Sequence, residues 1–179
     1  VDRNATKLAR FVRQMCVAIG HYAIADGKTE TNVAASLKGL FQVEEAKPHR
    51  PLSEQEIPEF LAKLDVGPGT ESVKIALRLL LLTFVRPGEL RCAEWTEFDF
   101  AARRWRIPAA RMKKRKEHIV PLSAQAVALL QRLRDMRLSK RLLFPNVRDP
   151  HRPMSPTTLN RLLERMGYSG MFSAHGFRA

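Results

Sequence analysis

Acidic residues are scarce in this chain: 18 Asp and Glu stand against 31 Lys and Arg over 179 residues, a formal charge of +13. Such a deficit excludes an acidic surface and makes a polyanion, nucleic acid first, the expected partner. Cysteine is scarcer still. Cys16 and Cys92 form no metal-spaced pair and are too few for a disulfide framework, so a reducing cytoplasm suits the chain. No apolar run approaches the ~20 residues of a membrane span, no lysine-rich amphipathic anchor stands out, and no signal peptide is expected. Internal repeats and low-complexity segments are absent as well. The first residue is Val1 rather than Met, and the last, Ala179, directly follows a motif, which reads as a fragment excised from a longer protein.

Apolar residues make up 45% of the chain, enough for a real core. From Arg3 to about Asp26 they recur at Leu8, Phe11, Val12, Met15, Ile19, Tyr22 and Ala23, the three-four spacing of one helical face, and Gly27 ends the run. A second helix is expected over Val33 to Leu40 with Asn32 as its N-cap. Two helices with one apolar face each cannot close a core, so this segment reads as the end of a helical domain. The stretch from Gln42 to Leu52, with Lys47-Pro48-His49-Arg50-Pro51, reads as a linker. Ser53 and Glu56 form a capping-box pattern ahead of Ile57, Phe60, Leu61 and Leu64, with Pro58 blurring the start of the helix. After Gly67-Pro68-Gly69, Thr70 or Ser72 caps a strongly apolar helix expected to run to Arg86, followed by a short helix from Glu89 to Trp95. Phe98 and Phe100, Trp105 to Pro108, and His118 to Leu122 predict a small antiparallel sheet. Ser123 then caps a helix to about Arg137, and Ser155-Pro156 opens another that passes Met166 and stops at Gly167.

Three cationic places stand out. Phe84-Val85-Arg86-Pro87-Gly88-Glu89-Leu90 puts a permanent cation where an apolar helix surfaces, and a rigidly held guanidinium matches phosphate oxygens two at a time. An Arg ending a helix also simply favours the helix dipole. Second, the segment from Arg103 to His118 carries eight Lys and Arg against one Glu. Lysine-rich tips are commonly just solvated, but this concentration at a hairpin favours contact with a phosphate backbone. Third, His175 and Arg178 are three apart, so a helix capped by Ser173 would put both on one face of its first turn, beside free amides that favour an anion.

Thr83-Phe84-Val85-Arg86-Pro87-Gly88-Glu89-Leu90, then Met112-Lys113 with His118-Ile119-Val120-Pro121-Leu122-Ser123, then Met154-Ser155 through Met166-Gly167-Tyr168, and finally Ala174-His175-Gly176-Phe177-Arg178-Ala179 resemble the tyrosine recombinase family. The phage and genomic-island integrase branch is the most similar. The resemblance implies a mainly α fold with a small three-stranded antiparallel sheet. Residues 1–46 would then be the last helices of a core-binding domain, 47–52 a linker, and 53–179 a catalytic domain that stops before its nucleophile. The implied function is site-specific DNA recombination, integration or excision of a prophage or genomic island. Its chemistry is transesterification through a 3′-phosphotyrosyl intermediate, without metal or cofactor. The implied partner is double-stranded DNA at attachment sites, with self-association on it as a tetrameric synapse of the full-length protein.

Carried over residue by residue, Arg86 and Arg178 would clamp the non-bridging oxygens, and His175 would add a hydrogen bond or assist proton transfer. Lys113 would protonate the leaving 5′-oxygen, with Lys114 and Lys116 close enough to serve instead. Arg111, Lys114, Arg115 and Lys116 would contact DNA, Glu89 would orient Arg86 or its backbone, and His118 has no catalytic role. The only tyrosines, Tyr22 and Tyr168, precede His175 and so do not occupy the nucleophile's place. The expectation is therefore that these 179 residues bind DNA without cleaving it. A non-catalytic helical DNA-binding protein or a decayed integrase is the competing reading, and a type IB topoisomerase is less similar in residues 112–123 and 154–179.

Overall fold

In a computed structural model, residues 3–39, 51–112 and 115–178 are described. The chain divides into two compact units, residues 1–47 and 48–179.

The first unit contains α1, Arg3–Ala25, and the single turn α2, Val33–Ser36. Helix α1 ends where expected, with Gly27 in the left-handed region at φ 68° and the Lys28 N–H returning to the Ala23 carbonyl at 2.9 Å. Leu8, Phe11, Val12, Met15, Ile19 and Tyr22, the predicted apolar face, are exposed. Helix α2 is shorter than expected, and Leu40 lies outside the described residues. Asn32 also does something other than capping it: its Nδ2 donates to the Val17 carbonyl at 2.9 Å, clipping the chain back onto α1. Gly20 makes room for that amide, since a Cβ there would meet the Asn32 side chain at 2.5 Å. The 42–52 linker lies largely among residues outside the description.

The second unit is mainly α with a small three-stranded sheet. Helix α3, Glu56–Val66, opens on half a capping box: Glu56 accepts from both the backbone and the hydroxyl of Ser53 at 2.9 Å. Helix α4, Glu71–Thr83, is the central element. Its Ile75, Ala76, Leu77, Leu79 and Leu80 are fully buried, and it packs against α3, the helices Ala124–Asp135 and Thr158–Leu163, and the 174–178 turn. Burying one such Leu or Ile contributes roughly 1.5–3 kcal/mol. Thr70 caps α4 by position only, its hydroxyl meeting that of Ser72 at 3.1 Å instead of a backbone amide.

Helix α4 stops three residues earlier than expected. Phe84, at φ 52°, is its left-handed C-cap, a conformation that costs a non-glycine residue about 1–2 kcal/mol. The reversal turns Val85 into the core and releases Arg86 to start α5, Pro87–Arg91. Strands β1, Phe98–Asp99, β2, Arg104–Ile107, and β3, His118–Pro121, form an antiparallel sheet in that order. Trp105 pairs with Val120 and Arg106 with Ile119. Alternation on β2 buries Trp105 and Ile107 and exposes Arg104 and Arg106, as a half-buried strand requires.

Helix α6, Ala124–Asp135, begins on the predicted cap, Ser123 Oγ accepting from the Ala126 N–H at 3.2 Å. Helix α7, Thr158–Leu163, starts later than expected because residues 155–157 form a turn, and it widens into one π turn over Glu164–Tyr168. Gly167, at φ 91°, supplies the predicted stop.

Candidate functional site

Arg86 does not end α4. It occupies the N-cap of α5 in extended backbone, with Pro87 at the first helical position. A cation at a helix N-terminus opposes the dipole, so helix capping gives no reason for an arginine here. Glu89, two residues on from Pro87, supplies the compensating charge. Its Oε2 accepts the Arg86 backbone N–H at 2.9 Å and its Oε1 accepts Arg86 Nη1 at 2.6 Å. The Glu89 side chain is 5% exposed while that of Arg86 is 40% exposed, so a buried carboxylate holds a guanidinium whose far side faces solvent.

Arg178 reaches the same carboxylate from the other end of the unit, Nη1 lying 3.9 Å from Glu89 Oε2 with the side chain 43% exposed. That separation is an ion pair rather than a hydrogen bond, which leaves the donor fork of Arg178 uncommitted to Glu89. Arg178 and His175 belong to a single 3₁₀ turn, Ala174–Arg178. Residues three apart eclipse in a 3₁₀ helix, and both side chains are exposed. Phe177 anchors that turn: it is 5% exposed and packs edge-to-face on Phe60 at 5.5 Å and on Phe172 at 4.8 Å. The expected free amides are partly taken. Asn160 Oδ1 accepts the Ala174 N–H at 2.9 Å, and the Ser173 carbonyl accepts the Gly176 N–H at 2.8 Å. Anion attraction here therefore comes from side chains.

The hairpin divides in two. Lys113 and Lys114 lie outside the described residues. Arg115 and Lys116 are exposed, as are Arg103, Arg104 and Arg106, so the hairpin of β2 and β3 presents a basic surface. Arg111 departs from the expected solvent-facing tip. Its side chain is 22% exposed; one Nη donates to the Glu89 carbonyl at 3.1 Å and the other pairs with the Glu97 carboxylate. Trp105 Nε1 also donates to Glu97, at 2.9 Å. Burial pushes the Glu97 carboxyl up from its ordinary value, outweighing Trp105 and Arg111, which pull it down.

Glu97 and Asn160 have roles that the sequence does not announce. Glu97 stands in no motif, Asn160 lies within the 154–168 stretch without being marked by it, and each acts on a partner at least 14 positions away except for Trp105, eight away. The two tyrosines have other places. Tyr22 is exposed on α1, while Tyr168 packs on Phe60 at 5.7 Å beneath the Lys63 ammonium, and burial raises its phenol pKa. Among the described residues no group of three His, Cys, Asp or Glu could hold a metal ion, and no helix is long and apolar enough to cross a membrane.

Three guanidinium groups gather on buried Glu89 and half-buried Glu97, with Arg86 and Arg178 open to solvent: such an array suits an oxyanion with several equivalent oxygens.

The fold is that of integrases. A Tn1549 transposon integrase in complex with a circular-intermediate DNA superposes with a TM-score of 0.71 at 16% identity, over 96% of this chain and 64% of that one. A lambda integrase dimer bound to a COC′ core site gives 0.70 at 18% identity, over 97% and 50%. The profile of the Phage integrase family matches residues 50–179, and the chain belongs to that family. An integrase of Enterobacteria phage P4 is 40% identical over 185 residues, covering 96% of this chain and 42% of its own length. Prophage integrase IntA of Escherichia coli (strain K12) is 31% identical over 171 residues, 94% of this chain and 41% of its own. The chain thus spans less than half the length of these curated relatives.

Proposed function

We propose that this chain is the phosphate-binding half of a site-specific DNA recombinase that integrates or excises a prophage or genomic island. The observation that carries the proposal is the shared anchoring of Arg86 and Arg178 on buried Glu89, with both guanidinium groups exposed at 40% and 43%. A tyrosine outside these 179 residues attacks the scissile phosphorus of duplex DNA. The phenol gives up its proton to solvent as the phosphotyrosyl bond forms to the 3′ side, the bond to the 5′-oxygen breaks, and that oxygen leaves with a proton. Arg86 and Arg178 hold the non-bridging oxygens as charge builds on them, each such donor contributing about 2.7–4 kcal/mol. His175, on the turn of Arg178, adds a third donor. Lys113 delivers the proton, for which an ammonium suits better than a guanidinium. Arg115 and Lys116 contact the backbone.

Residues 1–46 are the end of a core-binding domain and 53–179 the catalytic domain. The full-length protein works in the cytoplasm as a tetramer on two attachment sites. The basic β2–β3 hairpin and the charge of +13 support the DNA partner.

Covalent trapping tests this reading. Full-length protein is incubated with a nicked attachment-region duplex whose cleaved fragment diffuses away, so that religation fails. A protein-linked DNA band that a Lys113→Ala variant forms at least ~10²-fold more slowly is expected, the usual yield of a general acid. Salt-sensitive binding without any band would replace the enzyme by a non-catalytic DNA-binding protein.

A further inference from the structure

We infer that Arg111 is a positioning residue for the Arg86 site: with Glu97 it braces the backbone of Glu89, and through Glu89 it aims the guanidinium of Arg86. The inference rests on the strand-cleavage function proposed above. A phosphate contact needs donors open to solvent, and Arg111 has few. Each of its Nη atoms is engaged, one by the Glu89 carbonyl and the other by the Glu97 carboxylate, its side chain is only 22% exposed, and its Nε is buried with no partner among the described residues.

Glu97 is held in turn from the sheet. Trp105 Nε1 donates to it at 2.9 Å, and Trp105 is 1% exposed and stacked on Phe98 at 5.1 Å. A continuous chain of contacts therefore runs from the core of the sheet through Glu97 and Arg111 to the Glu89 carbonyl, and from the Glu89 carboxylate to Arg86. Helix α5, with five residues, is too short to fix its own orientation. An outside brace on its third residue decides where the carboxylate points. Lysine cannot replace the brace, because one ammonium on a flexible stem lacks the planar, two-ended fork that reaches both oxygens.

The test uses full-length protein as wild type, Arg86→Ala, Arg111→Lys and Glu97→Gln, in single-turnover cleavage of the nicked duplex with affinity measured in parallel. Misaiming a clamp by ~1 Å costs about 10²-fold. Arg111→Lys should accordingly slow cleavage of the bound duplex about 10- to 100-fold while its Kd stays within about threefold of wild type. A second duplex carries a methyl group in place of one non-bridging oxygen at the scissile position, which removes the charge that Arg86 neutralises. On it the gap between wild type and Arg111→Lys should shrink to about threefold or less, as the clamp no longer matters. Glu97→Gln keeps an acceptor for Trp105, and it should show the same narrowing from a smaller initial loss. It carries the test alone if Arg111→Lys loses its near-UV circular dichroism. Weakened affinity with an unchanged cleavage rate would make Arg111 an ordinary phosphate contact. A gap of equal size on both duplexes, or a neutral duplex that no protein cleaves, would also overturn the assignment. Failure of the underlying reading shows separately, as a wild type that forms no covalent band or an Arg86→Ala variant that cleaves at the wild-type rate.

Discussion

Glu89 is the residue on which the site converges. Its carboxylate serves Arg86 twice and Arg178 once, and its carbonyl serves Arg111. Glu89→Gln keeps the shape but drops the charge, freeing Arg86 to leave the helix start. Because Arg86 is 40% exposed, water replaces part of what it loses, and the stability cost should be about 1–3 kcal/mol, below that of a fully buried pair. Cleavage by the full-length variant should fall about 10- to 100-fold, with duplex affinity retained; denaturant unfolding and single-turnover rates check both numbers. At Glu97 the direction is opposite to that of most paired carboxylates. Its pKa is raised in the folded state by burial, so the folded protein binds that proton more tightly than the unfolded chain does. This group's contribution to stability is fully present below its unfolded pKa and is lost as pH rises through its folded pKa. A pH series of unfolding should therefore show this component vanish in Glu97→Gln.

At the scale of elements, the 174–178 turn is only as well placed as its anchor. Phe177→Ala empties a site among Phe60 and Phe172 and should cost about 3–5 kcal/mol. It should also slow cleavage by the full-length protein beyond the loss of folded material, since His175 and Arg178 flank it. Ser123→Ala should cost α6 ~1 kcal/mol, without effect on cleavage per folded molecule. The same elements divide what could be read beforehand from what could not. Ser123 acts on an amide three residues away, and the alternation of Arg104, Trp105, Arg106 and Ile107 is the period of a half-buried strand, so both were legible. The end of α4 was not, because the left-handed residue is Phe84, and nothing local announces a reversal that only the burial of Val85 rewards. Asn32 looked like a cap since capping is the local option, whereas its partner Val17 is 15 residues away. The half-buried position of Arg111 is illegible for the same reason. Among lysines it reads as one more surface cation, and the carboxylate that buries it, Glu97, stands in no motif.

For the molecule as a whole, the formal charge of +13 is spread unevenly. The β2–β3 hairpin presents Arg103, Arg104, Arg106, Arg115 and Lys116 to solvent, while three other arginines pair with Glu89 and Glu97. A protein bound mainly through such a hairpin reads phosphates rather than bases. Between 50 and 200 mM salt, duplex affinity of the full-length protein should fall by about 10³–10⁵, the loss expected for some 6–10 phosphate contacts. Replacing Arg115 and Lys116 together should shallow the slope of log affinity against log salt by roughly two. An unchanged slope would take that hairpin off the interface.

The most direct test of the central claim, that Arg86 and Arg178 form one phosphate clamp on Glu89, separates binding from cleavage. Full-length wild type, Arg86→Ala and Arg178→Ala are compared for duplex affinity and for covalent complex formed on the nicked attachment-region duplex. Affinities within about tenfold of wild type and cleavage slowed by about 10²–10³ are expected in each variant. Undiminished cleavage in either one would contradict it.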